Sequence, residues 1–515
     1  MTRRILFSLA LILIALPALA DQEAREVSDD GWAVAAPDIG AMDRVIVHRD
    51  EVPYGTAPDW SNTLRMQVGG LQVADVNGDY LPDVIVGCYH SNSYPPYEDW
   101  ENLIYFNTGG ALEADPSWIS TDEVSTGDIQ VALINDDSYP DVFAANGGGL
   151  SYPSVIYWGG PAGPSSSPGW YSNEPGGAWN NYAKCFDLDH DGDMDVVTAN
   201  QGASEYDPSR PLYVFYNEAG VLSNTPGWAS DEWTLSGGLD FADVDHNGWE
   251  DLAASKWVNY ESCIYYNFGG ALETTPGWTT GDDDSDKGVA FADVDGNGWA
   301  DLALGHDPTQ LWSNDAGAFA MSWTSGASYH GHSDIRFCDV DKDGDEDLAE
   351  THFSDGKVHI YLNRDGVLDT APSWTYDSSS VGTAIAFGDI DGNGWDDLVV
   401  GNSGEPCVKV FFAQPTTDLV EAALRPRLAA AYPNPFNPKT TIRFELPEAA
   451  HCELAVFDTG GRRVATLFRG ALEAGEQAFV WNGRDDSGRA MPSGVYLCSL
   501  AAGDFAESRK LVLAK

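Results

Sequence analysis

A nine-residue acidic loop between two apolar segments recurs seven times along this 515-residue chain, and nothing else constrains the fold as tightly. Six copies are intact: DVNGDYLPD from Asp75, DLDHDGDMD from Asp187, DVDHNGWED from Asp243, DVDGNGWAD from Asp293, DVDKDGDED from Asp339 and DIDGNGWDD from Asp389. A seventh, LINDDSYPD from Leu133, lacks the first acid but keeps the frame. The copies start roughly fifty residues apart, and one motif at one period means one structural unit copied along the chain.

Side-chain oxygens stand at positions 1, 3, 5 and 9 of each intact loop. They are Asp75, Asn77, Asp79 and Asp83 in the first copy, then Asp187, Asp189, Asp191 and Asp195. The next sets are Asp243, Asp245, Asn247 and Asp251, and Asp293, Asp295, Asn297 and Asp301. The last two are Asp339, Asp341, Asp343 and Asp347, and Asp389, Asp391, Asn393 and Asp397. Alternate residues of a tight turn point inward together, and glycine at position 6 (Gly192, Gly248, Gly298, Gly344, Gly394) permits the bend. A hard divalent cation seeking six to eight oxygens fits this spacing, with a backbone carbonyl near position 7 and water completing the shell. Calcium suits the flexible, all-oxygen set better than magnesium, so about six calcium sites are expected. DxNG and DG are also plain turn sequences. The repetition, each time with a last Asp running into an apolar strand, is what favours metal. No Glu follows at position 12 and no helix flanks the loop, so this is not an EF-hand. The Leu133 copy is expected to bind weakly or not at all.

Residues 1–20 carry Arg3 and Arg4, an apolar run from Ile5 to Leu16 and small residues at Ala18-Leu19-Ala20. That pattern predicts a secretory signal peptide, followed by a linker over 21–42. No later stretch is long and apolar enough to span a membrane as a helix. The formal net charge is −53, of which six calcium ions would offset only about twelve. Such a surface repels nucleic acid and anionic membrane, which excludes both as partners. Folding that gathers so many acids in loops should depend on calcium. Seven cysteines are an odd count for a secreted chain. Cys185 and Cys338 precede their loops where other copies have Ala242 and Ala292, and read as small buried residues. Cys452 and Cys498 are candidates to pair.

After each loop come a short apolar strand, a variable segment and an aromatic strand (LIYFN, VIYW, LYVFYN, CIYYN, VHIYLN). A Gly turn then leads to a segment ending at Trp118, Trp170, Trp228, Trp278, Trp323 or Trp374. Four short strands and no helix per unit are the make-up of a propeller blade, and the evenly repeated Trp reads as blade core. The last unit stops after VKVFF and lacks its Trp strand, while an unattached copy ends at Trp60. An N-terminal strand completing the final blade would remove an exposed edge. VIV at 45–47 offers a second closing strand, so the sequence leaves two choices.

These repeats resemble FG-GAP or VCBS repeats, the calcium-bearing blades of integrin α-subunit propellers and of many bacterial secreted proteins. The resemblance covers residues 43 to 413 and implies an all-β fold, a seven-bladed propeller with the calcium loops between first and second strands on one face. A linker over 414–430 follows, then an Ig-like β-sandwich over 431–515 with alternating apolar positions and Gly/Pro turns. YPNPFNP at 432–438 and SGVY at 493–496 resemble the C-terminal sorting domain of type IX secretion cargo, related to an Ig-like module of flagellar hook-capping proteins. The resemblance implies export across an outer membrane, with the secretion machinery as a partner, and a cell-surface location. An ordinary stalk-like Ig domain is the alternative.

With the loops on one face, the variable second-to-third and fourth-to-first connections meet on the other. Tyr94, Tyr97 and Trp100 of the first unit, with Trp257 and Tyr260 of a later one, set flat rings among Asn and Asp. That combination suits a glycan or protein ligand, since ring faces stack on sugars and short polar groups meet hydroxyls. Long loops also pack their own aromatics. For an enzyme the candidates are His330, His332 and His352, with His306 and Lys256 nearby, which could supply a general base or a second metal site. No nucleophile motif or cofactor loop accompanies them. The sequence therefore favours a non-catalytic, secreted or surface binding module over a polysaccharide lyase or hydrolase, or a purely structural surface protein.

Overall fold

The computed structural model describes residues 51–513 except 90–100, 136, 148–151, 176–179, 201–209, 233–234, 258–259, 282–285, 327–330, 379, 415–425, 429–430, 432–433, 435, 437, 447–448, 459–461, 473 and 503–504. Every regular element among the described residues is a strand. Between Trp60 and Phe411 the strands form five four-stranded antiparallel sheets and one eight-stranded sheet. Chain order and sheet order agree: the fourth unit, for example, runs Ser236–Ala242, Asp251–Lys256, Cys263–Tyr265, Trp278–Thr279. This arrangement is propeller-like. Each acidic loop joins the first strand of a unit to its second, and the position-9 Asp opens the second strand. Position 6 needs a left-handed backbone, with φ of 91° at Gly248 and 103° at Gly192. Tyr80 takes that conformation in the first loop, at φ 71°.

The eight-stranded sheet holds the ends of the repeat array. Trp60–Ser61 pairs with Val408–Phe411, placing Trp60 opposite Val410. The outermost strand of the last unit is therefore the Trp60 strand; VIV at 45–47 lies outside the described residues. Met66 and Gln67 of the first unit also pair with Gly404 and Ser403 of the last.

Aromatic contacts link each unit to the next and close on themselves. The fourth-strand Trp meets the next unit's third-strand ring edge-on in Trp118–Tyr157, Trp170–Phe215, Trp228–Tyr265, Trp278–Trp312, Trp323–Tyr361 and Trp374–Phe411. Trp60 completes the circuit against Tyr105, with centroids 5.2 Å apart. Edge-to-face pairs contribute roughly 0.5–1.5 kcal/mol each beyond the area they bury. Several indole N–H groups also donate across the joint, from Trp118 to Pro164 O at 2.7 Å and from Trp228 to Leu272 O at 3.0 Å. The repeated Trp thus sits at the seam between units.

The C-terminal region is a sandwich of a three-stranded and a four-stranded sheet. Its core takes Phe444, Leu454, Val456, Trp481, Leu500 and Leu511 from both sheets. Residues of the two quoted motifs meet there, since Phe436 and Tyr496 both pack on Trp481, at 5.4 and 5.0 Å. Asn434 holds the last strand as a backbone would, donating Nδ2–H to Lys510 O and accepting from Val512 N–H.

Three expectations change. Arg427–Leu428, assigned to the linker, pairs with Glu445 and Phe444, and Leu428 is fully buried in the sandwich core. Cys452 and Cys498 lie on neighbouring strands but out of register, opposite Ala502 and Val456, and do not form a disulfide. Cys185 and Cys338 are half-buried and pack against the edges of their cores. No helix among the described residues is long and apolar enough to cross a membrane.

Candidate functional site: the acidic loops

The position-9 carboxylate is the deepest part of each loop. Asp83, Asp141, Asp195, Asp251, Asp301 and Asp397 are fully buried and Asp347 is 1 % exposed. One oxygen accepts the position-2 N–H of its own loop, as in Val244 N–H to Asp251 Oδ2 at 3.0 Å. The other accepts the N–H at the end of the third strand, as in Asn267 N–H to Asp251 Oδ1 at 2.8 Å. Both bonds recur in the incomplete Leu133 loop, where Ile134 and Gly159 donate to Asp141 at 2.9 and 2.7 Å. The position-9 Asp therefore ties loop to strand whether or not the loop has its first acid.

Asparagine at the end of the third strand extends this tie to the preceding unit. Asn217 Nδ2–H donates to Ile134 O at 2.7 Å, Asn267 to Leu188 O, Asn314 to Val244 O and Asn363 to Val294 O. Asn107 donates to Ile390 O at 2.6 Å and joins the first unit to the last loop. In the second unit the place belongs to Gly159, where a Cβ would lie 2.4 Å from Pro140 O. This asparagine was not singled out from the sequence, although its recurrence after five of the seven third strands is visible there.

The upper acids close each loop on itself. Asp243 accepts from Asn247 and Gly248 N–H, Asp245 from Asn247 N–H, and Asn247 Oδ1 from Trp249 N–H, all at 2.8–3.0 Å. Neighbouring loops touch: His190 stacks on Trp249 with centroids 4.4 Å apart, His246 on Trp299 at 3.7 Å, and Lys342 pairs with Asp396 at 2.6 Å.

These acids also converge. Ligand-capable oxygens lie within 4.8 Å of one another in Asp187/Asp189/Asp191, Asp243/Asp245/Asp251, Asp293/Asp295/Asp301 and Asp339/Asp341/Asp347. Burial pushes Asp83, Asp195, Asp251 and Asp397 up to about 7 against the pull of their backbone donors. Burial, then repulsion from Asp343, does the same to Asp341. Asp187 Oδ1 is buried with no hydrogen-bond partner. Crowded, poorly solvated carboxylates with an orphaned oxygen fit a hard divalent cation, which would relieve both penalties.

The candidates for the opposite end are placed unevenly. Tyr94, Tyr97, Trp100 and His330 lie outside the described residues. Tyr260 is exposed, whereas Trp257 is half-buried and carries the Lys287 ammonium over its ring at 4.4 Å. His332 belongs to the strand His332–Cys338 and pairs in register with His352. His352 is not on a loop; it ends the strand Asp347–His352 and is fully buried. His306 and Lys256, at the matching place five residues after the position-9 Asp, are buried as well.

Two family models match parts of the chain: an FG-GAP-like repeat over residues 339–400 and a FlgD Ig-like domain over residues 434–504. Similar solved structures include BBS1N in complex with ARL6DN (11% identity, covering 71% of this chain and 98% of that one, TM-score 0.48). Another is PorZ, a surface component of the type-IX secretion system of Porphyromonas gingivalis (12% identity, 87% and 59% covered, TM-score 0.41). The computationally designed Ika8 protein is a third (11% identity, 68% and 98% covered, TM-score 0.41). No curated protein matches the chain. Fold and matches together give an all-β chain of repeated sheets in which residues 339–400 are similar to an FG-GAP-like repeat and residues 434–504 to a FlgD Ig-like domain.

Proposed function

We propose that the protein is a secreted or cell-surface binding module. In this reading residues 43–413 form a seven-bladed propeller, about six of its loops hold calcium, and the end opposite those loops takes a glycan or a protein. The C-terminal sandwich serves as a sorting domain for the outer-membrane secretion machinery. FG-GAP-like repeats on a propeller-like fold suggest a surface or binding role in general. The observation that carries the specific reading is a contrast in register. At the loop end the same bonds recur in unit after unit. Five residues after each position-9 Asp, equivalent places hold Cys88, Asn146, Asn200, Lys256, His306, His352 and Asn402. Cys88, Asn146, Lys256, His306, His352 and Asn402 are buried, so they stand beneath the variable connections, and connections freed from the repeat at one end only are what a ligand-adapted face requires. A lyase or hydrolase using His352 is less well supported, because that imidazole is inside the sixth unit.

A glycan and polysaccharide array, scored for both binding and product release, tests this reading. Retained ligand without products is expected, with at least tenfold weaker binding after Tyr260→Ala or the paired Tyr97→Ala and Trp100→Ala changes. Product release would favour the enzyme reading. Binding unchanged in every variant would remove these aromatics from the site.

A further inference from the structure

We propose that Glu350, His352 and His359 form a buried site for a zinc-type divalent transition metal, separate from the acidic loops. Glu350 on the strand Asp347–His352 stands directly opposite His359 on Lys357–Tyr361. His352 lies two residues beyond Glu350 and so shares its side of the sheet. Glu350 and His352 are fully buried and His359 is 2 % exposed. Glu350 Oε1 is 3.0 Å from His352 Nε2 and 3.5 Å from His359 Nδ1. One donor atom from each of the three residues falls within a 4.8 Å span. Tetrahedral ligands at about 2.1 Å from zinc are about 3.4 Å apart, close to both separations.

The repeat supplies the control. Three other units fill this cross-strand pair with apolar residues, Val86 opposite Leu103, Ala144 opposite Val155 and Ala254 opposite Cys263, and three more set Thr198 against Tyr213, Leu304 against Gln310 and Val400 against Lys409. The sixth unit alone sets an acid against an imidazole. Its carboxylate is also oriented from outside the triad. Tyr361 O–H donates to Glu350 Oε1 at 2.8 Å, and the Thr309 hydroxyl, from the fifth unit, donates to Oε2. Ligating carboxylates are held in this way by outer hydrogen bonds. Two imidazole nitrogens and one carboxylate oxygen suit zinc or a neighbouring first-row ion and disfavour calcium, which takes oxygen alone. Water supplies the fourth ligand, since Tyr361 O–H is engaged in holding Glu350. Full burial, with a bond to the fifth unit, suits a structural ion that pins the two units together.

The test uses the full-length secreted chain without a histidine tag, saturated with calcium, loaded with zinc and dialysed against calcium buffer. About one equivalent of zinc should remain, falling to background in Glu350→Gln and His359→Ala but not in Asp245→Ala. Cobalt loaded in place of zinc should give the wild type an intense four-coordinate visible spectrum with paramagnetically shifted imidazole N–H signals. The cobalt arm needs no variant, so it decides the matter if the substitutions unfold the chain. No retained zinc and no such cobalt spectrum would reduce the triad to a hydrogen-bonded core acid, as would undiminished zinc in both variants.

Discussion

The two ends of the repeated units follow different rules although the same strands run between them. At the loop end a position-9 Asp, a third-strand Asn and a pair of upper acids make the same bonds repeatedly, and the Leu133 copy keeps part of the set after losing its first acid. At the other end, places in the same register hold a thiol, an amide, an ammonium or an imidazole, and the partners of the charged ones differ from unit to unit. Lys256 Nζ reaches Glu232 at 3.2 Å, whereas His352 reaches Glu350 at 3.0 Å. Repetition therefore marks what assembles the units, and departure from it marks what one unit does alone.

The largest effect should come from the seam. Trp228→Ala removes an edge-to-face pair and an indole donor, and should cost about 3–5 kcal/mol in denaturant unfolding, with or without calcium. Next comes Asp251→Ala, which leaves two buried N–H groups unbonded and should cost about 2–4 kcal/mol, part of it persisting in chelator. Asp245→Ala should instead destabilise only when calcium is present; equal losses in both conditions would merge the two roles separated here. Asn267→Ala, which frees the buried Leu188 carbonyl, should cost about 1–3 kcal/mol. The smallest change is expected at the opposite end. Lys256→Met removes a buried ammonium whose partner Glu232 is 43% exposed, and stability should move by less than about 1 kcal/mol. A loss there as large as that of Asn267→Ala would erase the contrast between the ends.

Much of the loop end was legible in sequence, because an acidic loop is local: its carboxylates, its Gly bend and its last Asp all lie within one copy. The closing strand was legible in part, since the missing Trp strand and the spare Trp60 copy point to each other. Cross-strand register was not legible. Periodicity says which side of a strand a residue occupies but not what it meets, so Glu350 and His359 gave no sign of facing one another. His352 looked like a loop residue because the second strand runs one turn of the pleat further than its apolar pattern suggests. The third-strand Asn was visible as a repeated letter, but its acceptor is a carbonyl in the preceding unit. Leu428 was hidden by the Pro/Ala-bearing composition around it, which resembles a linker more than a strand.

Calcium in the loops, with folding dependent on it, is what the proposed function stands on. Thermal unfolding of the full chain, in excess calcium and then in excess chelator, tests this most directly. Each site held at a hundred times its Kd adds about 2.7 kcal/mol, so a large, calcium-reversible fall in Tm is expected on chelation, with about six calcium ions bound per chain by equilibrium dialysis. A Tm indifferent to chelator, with no calcium retained, would contradict the account.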